Sequence, residues 1–528
     1  MPEYLSPGVY IEEVDAGNNP IEDAATSTVG FLGVAERGPR SPTLVTSFAE
    51  YTRWFGSYNR PSFLTYSVEG FFQNGGKRCF VTRVVAQNAV AANVAVGNLS
   101  VTALEPGTWA NSRVYVTITD CGLHNPADPN TTKLFKLTVI HWDASVNLPI
   151  PPIDPTDRTK LTDPNRREPT IIEEYDNLSP DSQSTSFCER MVNKASVLVT
   201  ITLNGANRPA NTNALQPLVN GTAGGAIALP DFIGNPNAPP GQRAGLLALE
   251  EIDEIAILCC PDEYYPSIPP GQIAGAIVDQ CERLKDRFAI LQAQDAAGPI
   301  NNLRPTQMTK YAAFYYPWIA ITDPLTDQPI EVPPGGHIAG IYARSDNKRG
   351  VHMAPANEVI RGLYTNPNDP TAGLQFNITD AQQEVLNPRG VNVLRYFPGR
   401  GNLVWGARTC SLDPDWKYVN MRRLVIFLEE SIKEATQWVV FEPNDEPTWT
   451  RVRRSVSNFL TRWWKNGMLL GRSATEAFFV RCDRTSMTQA DIDNGRLIML
   501  IGIAPVKPAE FVIFRIGQWT GGSEVSED

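Results

Sequence analysis

The stretch GVNVLRYFPGRGNLVWGARTCSLDPDWKYVNMRRL, Gly390–Leu424, opens the C-terminal part of a 528-residue chain and runs straight into an amphipathic helix. Met421, Leu424, Val425, Leu428, Ile432 and Ala435 recur at the spacing of a 3.6-residue period and make one apolar face. The other face carries Arg422, Glu429, Glu430, Lys433 and Glu434, with Glu429 and Lys433 set as a favourable i,i+4 pair. A second helix is expected from an N-cap at Thr448. Its apolar stripe is Trp449, Val452, Val456, Phe459, Leu460 and Trp463, and Gly467 is its stop. A short strand pair and an apolar terminal strand, FVIFRIGQW (Phe511–Trp519), complete an α+β domain over 390–528.

Upstream the period changes. EIAILCCP and FAILQAQD read as short buried strands, Gln272–Asp286 as a helix and YAAFYYPWIAI as a further strand. Buried strands alternating with helices predict a parallel α/β sheet over 215–389. Residues 23–90 read as the N-terminal part of the same body. STVGFLGVAERGP is a buried strand and turn, Phe48–Phe55 and Tyr66–Asn74 are short helices, and KRCFVTRVV is a strand. Between these halves, 91–214 reads as a β-rich insertion, with VYVTITDCG, LFKLTVIHW and ASVLVTITL as strands between Pro-, Asn- and Asp-rich loops. Residues 87–105, small and polar-aliphatic, look like a crossing linker, and NGTAGGAI like a flexible one. Residues 1–22 form an arm: Val9 and Ile11 alternate with Tyr10 and Glu12 as in a strand, set off by Pro7-Gly8 and DAGNNP.

Composition narrows the function. Hydrophobic residues are 42% and charged residues 20%, ordinary for globular domains. A net charge of -11 argues against nucleic acid as partner. Apolar runs such as LIMLIGIAPV fall far short of the roughly 20 residues of a membrane span, and the N-terminus shows no secretory pattern. The expectation is a chain folded in a cytoplasm, without direct membrane insertion. The eight cysteines form no CxxC and the four histidines no zinc spacing, so buried free thiols and no metal or cofactor are expected. NGTAGGAI lacks the GK[ST] of a phosphate loop, and DIDNG (491–495) departs from the calcium loop.

Ser6–Tyr10 (SPGVY), Ala24–Gly38, Val332–Asn357 (VPPGGHIAGIYARSDNKRGVHMAPAN), Gly390–Leu428 and Pro505–Trp519 together resemble the sheath protein of contractile injection machines. That family includes contractile phage tails, R-type pyocins, extracellular contractile injection systems and type VI secretion. The resemblance implies a subtilisin-like α/β core without a catalytic triad, a β-rich inserted domain, a C-terminal α+β sheath domain and extended arm strands at both ends. It implies subunits that exchange arms, mesh into a helical sleeve around an inner tube and contract. Partners would be the chain itself, the tube protein, and baseplate and terminator or cap proteins. The particle would be assembled in a bacterial cytoplasm as part of a phage tail or tail-like particle, with later extracellular release left open. A static capsid or baseplate component is the alternative, and an α/β hydrolase ranks behind it. No nucleophile segment is visible, and His337 and His352 fall in a loop-rich block without Asp or Ser partners.

Physics points the same way at the ends. An isolated apolar strand on a tether needs a sheet edge. The candidate inter-subunit strand residues are Val9, Tyr10, Ile11, Phe511, Val512, Ile513, Phe514 and Ile516. The candidate tube-facing residues fall on two elements. One is the second helix, with Arg451, Arg454, Arg462 and Lys465 and no acid between Trp449 and Asn466. The other, favoured narrowly for lacking an apolar side, is TSMTQADIDNGR (Thr485–Arg496), with Asp491, Asp493 and Arg496.

Overall fold

The computed structural model describes residues 21–295 and 300–511. They divide into two compact units. The larger comprises Glu22–Val351 and Pro355–Glu434; the smaller comprises Ile21, His352–Ala354 and residues 435–511. The division falls between Glu434 and Ala435.

The larger unit begins with β1 (Val29–Val34), β2 (Thr43–Val45) and β3 (Cys79–Val84). Between β2 and β3 lie α1 (Phe48–Phe55), capped by the Ser47 hydroxyl on the Glu50 amide, and α2 (Leu64–Gln73). The insertion supplies β4 (Asn93–Val96), β5 (Leu99–Ala103), β6 (Val114–Asp120), β7 (Phe135–His141), β8 (Ile171–Leu178), α3 (Cys188–Ala195), β9 (Val199–Leu203) and β10 (Gln216–Pro217). After it come α4 (Leu229–Ile233), α5 (Gly245–Leu249), β11 (Ile257–Cys259), α6 (Gln272–Leu284), β12 (Phe288–Gln292), β13 (Ala312–Tyr316), β14 (Ile319–Thr322) and β15 (Pro329–Val332). The unit closes with α7 (Gly335–Arg349), β16 (Glu358–Val359), α8 (Asp380–Leu386), β17 (Val391–Phe397), β18 (Gly401–Val404) and α9 (Val419–Ala435).

Nine strands form one sheet in the order β16-β18-β17-β13-β12-β11-β1-β3-β2. The six from β17 to β3 run parallel, and the marginal pairings are antiparallel. β11, β12 and β13 are buried along their whole length, which is why they read as largely apolar runs rather than alternating ones, and β3 is buried throughout as well, Thr82 and Arg83 included. Val29 pairs with Cys79 on one side and Ile257 on the other, so the halves flanking the insertion share one core. YAAFYYPWIAI is two strands, not one. It breaks at Pro317, and β14 pairs with β15 in a separate ribbon.

The block around His337, expected to be loop-rich, is the buried helix α7. It packs on α2 with almost no space between backbones. A Cβ on Gly336 would lie 2.1 Å from the Ser67 carbonyl oxygen, and one on Gly340 would lie 2.4 Å from that of Phe71. The glycines hid the helix from a propensity reading and are what lets it seat. α9 is also more buried than its amphipathic pattern suggests. Arg422, expected outside, lies between the Tyr311 and Trp416 rings at 4.9 and 4.6 Å and donates to Glu429 at 2.6 Å. Lys433, expected to pair with Glu429, pairs with Glu430 at 3.0 Å, while Glu429 takes Arg422.

In the insertion, β4-β5-β9 and β10-β6-β7-β8 make two antiparallel sheets over one core. The expected linker 87–105 is instead the β4–β5 hairpin, turned by Gly97 at φ +62 and Asn98. NGTAGGAI is not free either: Gly221 exchanges two hydrogen bonds with Asn111, each 2.8 Å, and Thr222 bridges to Val90. The chain's eight cysteines are all buried and unbridged.

Candidate functional site

In the smaller unit, α10 (Glu446–Lys465) frames the candidate surfaces. Asp445, not Thr448, is its cap: the carboxylate accepts the Thr448 amide at 3.0 Å. Pro447 sits in the first turn, where its missing N–H leaves nothing unpaired. Trp449, Val452, Val456, Phe459 and Leu460 are buried, as their spacing predicts, and Trp463 is half-buried.

The charges on α10 differ in freedom. Arg451 donates to Glu442 at 3.0 Å and lies over the Trp438 ring. Arg462 donates to the Ile21 carbonyl at 3.2 Å and lies over the rings of Phe459 and Trp463. Arg454 and Lys465 are exposed and make no ion pair among the described residues. From Arg451 to Lys465 the helix extends about 21 Å at about 1.5 Å per residue.

Past α11 (Ala474–Ala477), the strand β19 (Phe478–Arg481) pairs antiparallel with β20 (Leu500–Ile503), and Thr485–Arg496 lies in the connection between them. This connection contains the short α12 (Gln489–Asp493), and it does have an apolar side. Met487 is buried with Trp449 and Cys482, and Ile492, Leu497, Ile498 and Met499 pack around them. Asn444 ties the two elements together, accepting from Trp449 Nε1 at 2.7 Å and donating to the Arg496 carbonyl at 3.1 Å. Asp491 is occupied: its carboxylate takes the Thr488 hydroxyl at 2.6 Å and amide at 3.1 Å, closing a capping box. Those bonds, the hydroxyl's first, hold it below the usual carboxylate range. Asp493 accepts from Gln489 at 2.8 Å, and both Asp493 and Arg496 are exposed. The two candidate elements thus meet at the start of α10, leaving Arg462 and Lys465 at its far end.

The β19–β20 ribbon has two strands and, among the described residues, two open edges. Phe479, Leu500 and Ile501 stand exposed on it, and Leu470 and Phe511 are exposed elsewhere in the unit. Such a ribbon is marginal alone, and its unpaired N–H and C=O groups are a template for another strand. Val9, Tyr10, Ile11, Val512, Ile513, Phe514 and Ile516 lie outside the described residues. The sequence reading missed Phe441, which is wholly exposed at φ +71 in the turn before α10; in VVF it looked like any apolar run.

His337 is fully buried on α7, its Nδ1 has no hydrogen-bond partner, and burial pushes its pKa down to about 4. Its imidazole packs onto Gly70 of α2, where a Cβ would come 2.2 Å from the ring. That is a packing role.

Family models match the chain in two adjoining stretches, the phage tail sheath protein central domain at 247–410 and the phage tail sheath C-terminal domain at 411–518. Together they span just over half of it. The tail sheath protein of Vibrio phage KVP40 is 28% identical over 191 residues, 36% of this chain and 27% of that protein. That of Enterobacteria phage T4 is 25% identical over 197 residues, 37% of this chain and 28% of that protein. A putative prophage major tail sheath protein of Pseudomonas aeruginosa (strain UCBPP-PA14) is 25% identical over 206 residues, 38% of this chain and 51% of that protein. The matched stretches thus span between about a quarter and a half of these relatives. The fold is shared more widely. The PVC sheath complex of an extracellular contractile injection system, in its contracted state, aligns over 98% of this chain and 99% of its own, with TM-score 0.58 and 23% identity. The anti-feeding prophage helical sheath, also contracted, aligns over the same shares with TM-score 0.56 and 24% identity. With both family models falling on the parallel-sheet half and on the ribbon-bearing unit, the chain belongs to the phage tail sheath family.

Proposed function

We propose that this chain is a structural sheath subunit that polymerises with copies of itself into a helical sleeve around an inner tube, then shortens collectively to drive the tube through a target envelope. The β19–β20 ribbon carries the reading: it is a sheet short of strands, with apolar side chains exposed on it. Residues 4–14 and 508–519 are the strands other copies donate, through Val9, Tyr10 and Ile11 at one end and Phe511, Val512, Ile513, Phe514 and Ile516 at the other. Donation is head to tail, and a head-to-tail contact that does not close builds a helix. The larger unit moves as a rigid body between lattices while the arms bend. Its parallel sheet between helices is the subtilisin-like core the family resemblance implies, kept as scaffold without catalysis. Residues 91–214 face outward, because they interrupt a body whose halves must meet. Baseplate and terminator proteins cap the sleeve, and assembly takes place in a bacterial cytoplasm.

Deleting residues 1–14 or 508–528 tests this. The expected product is a folded, soluble body that forms no sleeves; sleeves of normal length from either truncation would refute arm exchange. An anti-feeding prophage baseplate chain has the same fold, with TM-score 0.54, so a static baseplate role is the second reading. Electron micrographs separate the two: a sheath gives two helical lattices of different diameter, a static component one.

For the tube-facing surface the candidates are Asp491, Asp493 and Arg496 on the connecting segment and Arg451, Arg454, Arg462 and Lys465 on α10. A contact that must grip and then release should be polar and modest. Because Asp491 already caps α12, Asp493→Lys with Arg496→Glu tests the segment without unfolding it, and Arg454→Glu with Lys465→Glu tests the helix. The pair that touches the tube should weaken sheath–tube assembly, more at low salt, and spare tube-free polymer.

A further inference from the structure

The winding of the large sheet reverses between β1 and β11: the chain steps from β1 to β3 on one side, then resumes at β11 on the other. In open α/β sheets such a reversal is where ligands bind. The carboxyl ends of the two strands part, and the first crossover helix aims its amino terminus into the gap.

Here that gap holds a carboxylate of the chain itself. Asp262, three residues past β11, is 3% exposed. Its Oδ2 accepts the N–H of Val34, the last residue of β1, at 2.8 Å and lies 2.8 Å from Ser62 Oγ. Its Oδ1 accepts the Phe63 N–H, at the mouth of α2, at 2.8 Å. Ser62 Oγ also accepts the Leu64 N–H at 3.1 Å and lies 2.6 Å from the Val34 carbonyl oxygen. α2 receives no cap from its own N-cap residue, Phe63, so Asp262 does that work from a segment 199 residues away. Gly33 completes the cradle, since a Cβ there would come 2.9 Å from Asp262 Oδ2. Burial raises the carboxyl to about 6 against the opposing pull of its amide and hydroxyl partners, which leaves it mostly ionised near neutral pH.

We infer that Asp262 is a built-in anionic ligand, filling from within the chain an anion pocket formed by Gly33, Val34, Ser62 and the amino terminus of α2. The crevice that would admit a substrate anion is closed. In exchange the ends of β1 and β11 and the start of α2 are pinned at one point. Emptied, the pocket would take a small carboxylate such as formate.

Asp262→Ala and Asp262→Gly empty it. Thermal unfolding of the full-length chain is followed by tryptophan fluorescence near neutral pH, in sodium formate and in sodium chloride of equal ionic strength. Formate should raise the Tm of both variants above chloride and leave the wild-type chain unchanged. At ten times its dissociation constant it should shift the folded-to-unfolded ratio about eleven-fold. Equal Tm in the two salts overturns the inference. If the variants do not fold in chloride, recovery of soluble protein on refolding in formate supports it. If they fold in neither, Asp262→Asn decides, since its amide puts hydrogens against donors. Wild-type stability of that variant overturns the inference; a lowered Tm or failure to fold upholds it.

Discussion

Arg423 on α9 and Asp346 on α7 meet through contacts of 2.9 and 2.6 Å, with side chains 3% and 2% exposed. Arg423 also donates to the Thr26 carbonyl at 2.8 Å and lies 4.8 Å from the centre of the Tyr342 ring. One guanidinium therefore joins the entry of the chain into its core to two helices. Arg423→Met keeps the aliphatic bulk but strands the Asp346 carboxylate in a low-dielectric interior, which costs about 3–5 kcal/mol. Asp346→Leu strands the guanidinium instead. The Thr26 carbonyl and the Tyr342 face remain to it, so the loss should sit at the lower end of that range. The double variant removes both charges and should recover about 2–3 kcal/mol of the summed loss. Urea titration of the full-length monomer by tryptophan fluorescence measures this. With a slope of roughly 3 kcal/mol per molar for a unit this large, each single variant should lower the core midpoint by roughly 1–1.7 M. The double variant should fall close to the singles, well short of the summed shift. Single losses no larger than the ~1 kcal/mol of a surface pair, or a double loss equal to the sum, would refute the reasoning.

Three further outcomes are expected. Glu263 is buried, one oxygen accepting the Gln292 amide at 3.1 Å and the other unpartnered, and burial raises it from 4.5 to about 8. The folded chain keeps a proton there that the unfolded chain gives up. This contribution is therefore present below about pH 4.5 and lost as pH rises through about 8, and Glu263→Gln should flatten the fall in Tm over that window. Gly336→Val places two methyl groups where a Cβ already meets the Ser67 carbonyl; it should cost more than about 3 kcal/mol, read as insoluble protein or a lowered Tm. Trp449→Ala removes the centre of the cluster under Thr485–Arg496 at about 3–5 kcal/mol, and limited proteolysis should then cut between Asp483 and Arg496 first.

Much of the fold was legible because burial and period agreed. Phe48–Phe55 has a Ser cap and a helical stripe, and Phe288–Gln292 is apolar on both faces. What escaped did so where tertiary contact overrode the local pattern. α7 is glycine-rich because α2 sits against it, so a low helix propensity marked close packing rather than a loop. Arg422 reads as surface until two aromatic rings are brought to it from Tyr311 and Trp416. The β4–β5 hairpin did carry a signal, a Gly-Asn pair between Val94, Val96, Leu99 and Val101, but its small residues read as linker. In the candidate site the charged residues were visible one by one. Their commitments were only half visible: Thr488-Gln-Ala-Asp491 has the spacing of a capping box, whereas nothing near Arg462 in sequence points to the Ile21 carbonyl.

The interleaved sheet also sets a timetable for synthesis. Val29 must wait for Ile257 and Val34 for Asp262, 228 residues later in each case. At about 5–20 residues per second a ribosome needs roughly 10–45 s to deliver them. During that interval β1 and β3 have emerged with one flank of β1 bare, while the insertion, with its own core, can already close. Nascent chains are therefore most exposed to sticking and to chaperones after the insertion is made and before β11 appears, and slow codons placed in that window would lower yield without changing a single residue.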